Sequence, residues 1–414
     1  MKIAIIGGGI SGMLAAHLLS EDHEVTVYEA NDYIGGHTNT IDVTVTGKRY
    51  ALDTGFIVFN QETYPNFIKL MHRLDVPYLP STMSFSVNCE DTALEYRATS
   101  LNTFFAQRRN LLNGRFLHMI LEIFRFKRES GELLDGSDPE LTLGDYLRQR
   151  GYSRYFIEKF IIPMGAAVWS AVPDRFQEFP AAAFVRFFTN HGMLRIRNQP
   201  QWCVIKGGSQ RYVEPLVRPF RDRIRLRTPV ASVRRHPDRV VVTTRSGASD
   251  AFDQVVIAAH SDQALAMLVD PADAEREILG AIPYQENRTV LHTDAGQLPK
   301  TLRARASWNY RVLSGVGHPP VVTYSLNRLQ GIDAPHEFCV TLNSPKAFAA
   351  KTILYETVYH HPVYDSGAFA AQQRWAEVNG VNRTWFCGAY WGYGFHEDGV
   401  KSALAVCDKF GKTL

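Results

Sequence analysis

Lys2-Ile-Ala-Ile-Ile-Gly-Gly-Gly-Ile-Ser-Gly12, continued by Met13–Leu19 and then by Glu24-Val-Thr-Val-Tyr-Glu29, decides the fold of this chain. The β-branched run Lys2–Ile6 suits a strand buried on both faces of a parallel sheet. Gly7, Gly9 and Gly12 give the spacing G-x-G-x-x-G, with Ser11 inside it, and Met13–Leu19 has helix-forming composition. Gly7 permits a tight turn, Gly9 lets backbone approach a pyrophosphate, and Gly12 lets the helix pack on the strand, while the helix amino end attracts the anion. Glu24–Tyr28 is a second strand, and Glu29 closes it about twenty residues beyond the glycines, where a carboxylate accepts ribose hydroxyls. A glycine triplet alone is often only a turn. With strand, loop, helix, strand and acid in register, it predicts a dinucleotide site, and the same register excludes a signal peptide.

The 414 residues exceed what one core usually organises and point to two domains. At 45% hydrophobic and 21% charged, the chain has the composition of a packed protein, not of a disordered one. Its longest apolar candidate, Phe160–Trp169, is too short for a membrane span and holds Pro163 and Gly165. Five scattered cysteines without a C-x-x-C pair suggest neither disulfides nor a metal site, and a reducing cytoplasm is expected. The net charge of +3 and the lack of a recognition motif argue against nucleic-acid binding.

Glu29-Ala30 leads into Tyr33-Ile-Gly35-Gly36-His37-Thr38 and then Asp53-Thr-Gly55-Phe56. Here the sequence resembles the FAD-dependent amine oxidase and phytoene desaturase superfamily, in which a second glycine pair continues the phosphate and ribityl contacts. The resemblance implies a Rossmann-like FAD-binding domain of the amine-oxidase type, in an α/β fold. It also implies noncovalent FAD, since no cysteine occupies the C-terminal position used by covalent members. Ala30, Gly35, Gly36, His37, Thr38, Gly55 and Phe56 are carried over as cofactor contacts. Most members have arginine where this chain has His37, and a histidine is largely neutral near pH 7.

The carboxyl terminus supplies the rest of the expected site. Arg383–Ala389 reads as a strand ending at Gly388, and Gly394-Phe-His-Glu-Asp-Gly399-Val400 opens a helix, another anion-favouring end. By resemblance, Gly388, Gly399 and Val400 contact the cofactor, and Val230, in Thr228–Val233, presents backbone to the adenine. His396 and Glu397 stand before the flavin-facing turn and are catalytic candidates, as is His292 in Leu291-His-Thr-Asp294; Asp398 reads as a first-turn helix acid and Asp294 as structural.

These blocks imply interleaved domains: an FAD-binding domain from 1–85, 205–262 and 380–414, and an α+β substrate domain from 86–204 and 263–379. The first insert has helix-like segments such as Leu101–Leu112, Phe116–Phe126 and Ala181–Phe188. The second has strand-like ones such as Arg288–Thr293, Pro320–Leu326 and Phe338–Leu342. A mixed sheet capped by helices is expected. The run Phe386–Ala405, with Leu291–Asp294, Trp308-Asn-Tyr310 and Pro163–Ser170, resembles a bacterial subfamily labelled as flavin-containing amine oxidases. That subfamily is often encoded beside methyltransferases acting on phospholipid acyl chains.

The resemblance therefore points to dehydrogenation of a long phospholipid acyl chain, methylated or unmethylated, with a lipid or apolar small molecule as substrate and a lipid methyltransferase as partner. From Arg97 to Arg128 seven cations and one acid, Glu122, are interleaved with Phe, Leu and Ile, as in a helix lying on the inner face of a membrane; a core-packed helix pair with a basic solvated face is the alternative. Two other functions fit the fold: oxidation of a small amine or polyamine, and noncatalytic binding of a lipidated partner. Amine oxidases of this type place a lysine on the strand that here carries His292 and Asp294, and its absence weakens the amine reading.

Overall fold

The computed structural model describes residues 1–136, 138, 140–169, 173–195, 198–315 and 317–414, with the side chains of 174 and 175 left aside. Ser170, which closes one of the motifs above, lies outside the described residues.

Five parallel strands form the first sheet, in the order Ile224–Arg225, Glu24–Tyr28, Lys2–Ile6, Gln254–Ile257 and Thr384–Phe386. Lys2–Ile6 lies at the centre, with Ile6 opposite Tyr28 on one side and Ile257 on the other. Ile3, Ala4 and Ile5 are fully buried, which explains why this strand is apolar throughout and does not alternate. Helix Ile10–Leu19 is likewise apolar on every face, because it packs between this sheet and the last helix, His396–Asp408.

The second large sheet has seven strands, ordered Ile353–Pro362, Tyr284–His292, Cys339–Leu342, Val321–Ser325, Trp308–Val312, Phe85–Cys89 and Glu95–Arg97. All of its pairings are antiparallel except that of Trp308–Val312 with Phe85–Cys89, so the sheet is mixed as expected. A helical layer including Gly114–Glu129, Ile162–Trp169 and Ala181–Asn190 surrounds an aromatic core with Phe116, Phe126, Phe156, Phe184 and Phe188. Pro163 has no N–H to offer the Lys159 carbonyl one turn earlier. The helix passes through a π-helical turn at Ile157–Ile161, and the buried Tyr96 hydroxyl donates to that carbonyl at 2.6 Å.

Two details depart from the sequence reading. Leu101–Leu112 is not one helix but Leu101–Phe104 and a 3-10 turn, Arg108–Leu112. Gln107 separates them in extended conformation, its side chain accepting from Glu95 N at 3.1 Å and donating to Ala93 O at 2.9 Å. The expected boundaries at 85 and 205 also fall within strands. Phe85–Cys89 belongs to the mixed sheet, and Trp202–Ile205 pairs with Phe59–Asn60 and Tyr78–Pro80.

Candidate active site

A cavity of about 1040 Å³ runs from the end of the parallel sheet to the mixed sheet, at or above the range of roughly 300–1,000 Å³ common for small-molecule sites. Its first half is built on the glycine loop. Gly7 has φ +106°, and a Cβ there would lie 2.6 Å from the Ala258 carbonyl oxygen; a Cβ at Gly12 would lie 1.9 Å from the Gly7 oxygen. A Cβ at Gly9 would meet nothing within 4 Å, so the loop is open where it borders the cavity. The second pair docks on the first: Gly35 N donates to Gly8 O at 2.9 Å, and a Cβ at Gly36 would come within 3.0 Å of Gly9 Cα.

Glu29 is buried, and its two oxygens accept from Gly8 N at 2.7 Å and Asn31 N at 2.8 Å. These amides fix its rotamer beside Ala30 on the cavity wall. Val230 also borders the cavity, at a register shift in its strand pairing that frees local backbone. Gly55, Phe56 and Gly388 line it too, and Gly388 N donates to Ser402 Oγ at 2.9 Å.

Ser11 lines the cavity and donates to the Gly399 carbonyl at 2.9 Å, joining the first and last helices. Gly12, Gly399 and Val400 are not among the wall residues. A Cβ at Gly399 would press on Ile10 and Ser11 at 2.9 Å, and Val400 is fully buried in the core, so these positions let the two helices approach.

His37 borders the cavity, stacked on Tyr359 with centroids 4.7 Å apart, with His361 at 5.5 Å and His260 at 6.4 Å. Burial, and then the neighbouring His260 and His360, push the His37 imidazole down to about 4; burial takes His260 to about 4 and His361 to about 3. The wall where the resemblance led one to expect an arginine is therefore neutral near pH 7. His37 Nε2 is buried without a hydrogen-bond partner among the described residues.

His396 lies in the same wall, its ring stacked on Phe56 with centroids 3.6 Å apart. Its Nε2 meets the hydroxyls of Tyr212 at 2.8 Å and Thr38 at 3.1 Å, and burial holds its pKa well below 6.5. Thr38 thus reaches the cavity through His396 and does not line it.

The other two catalytic candidates are corrected. His292 is fully buried at the end of its strand and away from the cavity walls. Its Nδ1 accepts from Asp294 N at 3.1 Å, so Nε2 carries the proton and donates to Thr341 Oγ1 at 2.7 Å. Glu397 is not among the cavity's wall residues and caps the adjacent helix Pro65–Arg73, accepting from Phe67 N at 2.9 Å and from Asn66 N at 3.2 Å. Asp398, read as a first-turn acid, accepts from Phe395 N and Tyr393 N at 3.0 Å. Residues that sequence reasoning missed are Gly8, Asn31, Tyr212, His260 and His361. The His360-His361 pair was the one visible signal.

The open glycine loop, the fixed acid at the ribose position and the partnerless His37 nitrogen fit FAD. The model for flavin-containing amine oxidoreductases matches residues 10–292. A Mycobacterium tuberculosis protein described as a flavin-containing monoamine oxidase, AofH, is 24% identical over 330 residues, 76% of this chain and 67% of its own. Putrescine oxidase with bound putrescine superposes with TM-score 0.71 at 14% identity, covering 99% of both chains. A fatty acid isomerase from P. acnes that produces CLA gives TM-score 0.69 at 16% identity, covering 99% of this chain and 98% of its own. With its glycine loop, acid and cavity in place, this chain belongs to the flavin-containing amine oxidoreductase family and is an FAD-dependent oxidoreductase.

Proposed function

We propose that the enzyme dehydrogenates a long apolar substrate, an acyl chain carried by a phospholipid. The observation that carries this reading is the distribution of charge in the cavity. Among its described wall residues the carboxylates are Glu29 and Asp32, both on the loop after the second strand; Glu29 accepts from backbone amides and Asp32 pairs with Arg227 at 3.3 Å. Away from that loop the described wall includes Trp169, Phe187, Met193, Trp308 and Leu342 together with neutral tyrosines such as Tyr64 and Tyr324, and no acid. An alkylammonium there would lose hydration with no carboxylate to receive it, whereas a hydrocarbon chain loses nothing by the same transfer.

Bound FAD supplies the hydride acceptor. The protein binds and orients the chain through its aromatic wall and excludes water. At the turn into the last helix, Thr38 and Tyr212 hold the neutral His396 ring against Phe56, giving that wall one fixed polar group. The fatty acid isomerase shows this fold serving a protein named for an acyl substrate, while AofH and putrescine oxidase favour an amine.

Anaerobic mixing separates the two readings. Flavin absorbance should bleach with phospholipid vesicles, methylated or unmethylated, and mass analysis should show a product two hydrogens lighter. Bleaching by putrescine or monoamines, with none by lipid, would overturn the assignment.

A further inference from the structure

Among the described residues, thirteen large apolar side chains are exposed, and seven of them occur in two segments: Leu101, Leu111, Leu112, Leu117, Leu121, Phe124 and Leu302. Isolated exposed leucines are ordinary, but this concentration is not. Helix Gly114–Glu129 is apolar on two sides. Phe116, Met119, Ile123 and Phe126 face the aromatic core, while Leu117, Leu121 and Phe124, at i, i+4 and i+7, form an outward stripe 40%, 66% and 49% exposed. Leu112, in the preceding 3-10 turn, is 93% exposed.

The second segment adds to the same face. Turn Leu302–Ala304, with Leu302 exposed, packs on helix Leu101–Phe104, which begins at the exposed Leu101. Buried Glu95 holds this turn by accepting from Lys300 N and Thr301 N, both at 2.8 Å.

Charge on this surface has one dominant sign. Arg108, Arg109, Arg115, Arg128 and Arg303 are exposed. Arg108 donates to Asn102 and to the Phe105 carbonyl, and Arg109 to the Ala93 carbonyl, neutral partners that leave their charges uncompensated. Glu129 offsets Arg125 and Arg128 at the helix end. The helix's other acid, Glu122, is withdrawn from the surface, accepting from Ser153 N at 2.6 Å and Ser153 Oγ at 2.5 Å.

We infer that this face docks the enzyme on an anionic lipid surface, with Leu112, Leu117, Leu121 and Phe124 entering the acyl boundary and the arginines meeting headgroup phosphates. Protruding leucine and phenylalanine beside cations is the chemistry of an interfacial helix, and the positive charge selects an anionic bilayer. The inner stripe of the docking helix shares its buried cluster with Trp169 and Phe187 of the cavity wall, so one helical layer joins the two surfaces. Docking does not depend on the substrate being an acyl chain.

The FAD-loaded full chain, sedimented with vesicles, tests this. It should bind phosphatidylcholine vesicles containing phosphatidylglycerol at least tenfold more tightly than phosphatidylcholine alone, and added salt should weaken binding. Arg108→Gln, Arg109→Gln and Arg115→Gln together should cost about fivefold for each cation removed. Leu117→Ser, Leu121→Ser and Phe124→Ser together should lose at least tenfold while Tm and the flavin spectrum hold. If that variant does not fold, the arginine variant and the salt series still decide. Wild-type protein left in the supernatant, or binding indifferent to salt and to the arginines, overturns the proposal. So does a dimer that the serine variant dissociates, since a second copy would then cover the face.

Discussion

His37 shows what one residue can and cannot say. The sequence made it stand out, since the resemblance led one to expect arginine there, but its surroundings come from Tyr359 and His361, more than three hundred residues away. Spacing along the chain does not record such contacts. Its ring is neutral, and its Nε2 lacks a protein partner among the described residues, so its use is expected to be a hydrogen bond to the anionic cofactor. One hydrogen bond to a charged group is worth about 1.5–3 kcal/mol. FAD titrated into apoprotein carrying His37→Leu should therefore bind about ten- to a hundredfold more weakly than to wild type; unchanged affinity would remove the residue from the cofactor site. The glycines were easier to read, because a missing Cβ is a local property: Gly7 and Gly12 are required by atoms within a few ångströms.

Elements were legible in kind and less so in their ends and partners. A strand was expected over Arg288–Thr293 and forms over Tyr284–His292, but the burial of His292 depends on the neighbouring strand that supplies Thr341. Glu397 carries the same lesson for helices. It sits in the first turn of one helix and serves the amino end of another, whose amides would otherwise be buried unpaired. Glu397→Ala should lower stability by about 1–3 kcal/mol, visible as a drop in Tm, while the rate of anaerobic flavin reduction stays within twofold of wild type. A hundredfold loss of that rate with Tm unchanged would return Glu397 to the chemistry. His292→Gln should likewise act on Tm and not on reduction.

For the whole molecule, buried histidines set how the fold answers to acid. Burial pushes His37, His191, His260 and His292 down to about 4 and His361 to about 3, from an ordinary 6.5. Between these values and 6.5 the unfolded chain binds more protons than the folded one. The stability is therefore present above pH 6.5 and is lost as pH falls toward the folded-state values. Burial raises the Asp53 and Asp398 carboxyls to about 6, which acts in the opposite sense below that pH. The histidines outnumber them, so apoprotein Tm should fall between pH 6.5 and 4, and a Tm that rises there would contradict the burial of these rings. The parallel sheet has a consequence in time as well as in space. Its strands come from 2–28, 224–257 and 384–386, and the helix closing the glycine loop ends at Asp408. The first two strands pair with each other, but the sheet is completed only when strands about two hundred and more residues later in the chain have been made. A product cut short before Thr384–Phe386 is expected to be released colourless, because the sheet edge and the helix that packs on the glycine loop would be missing.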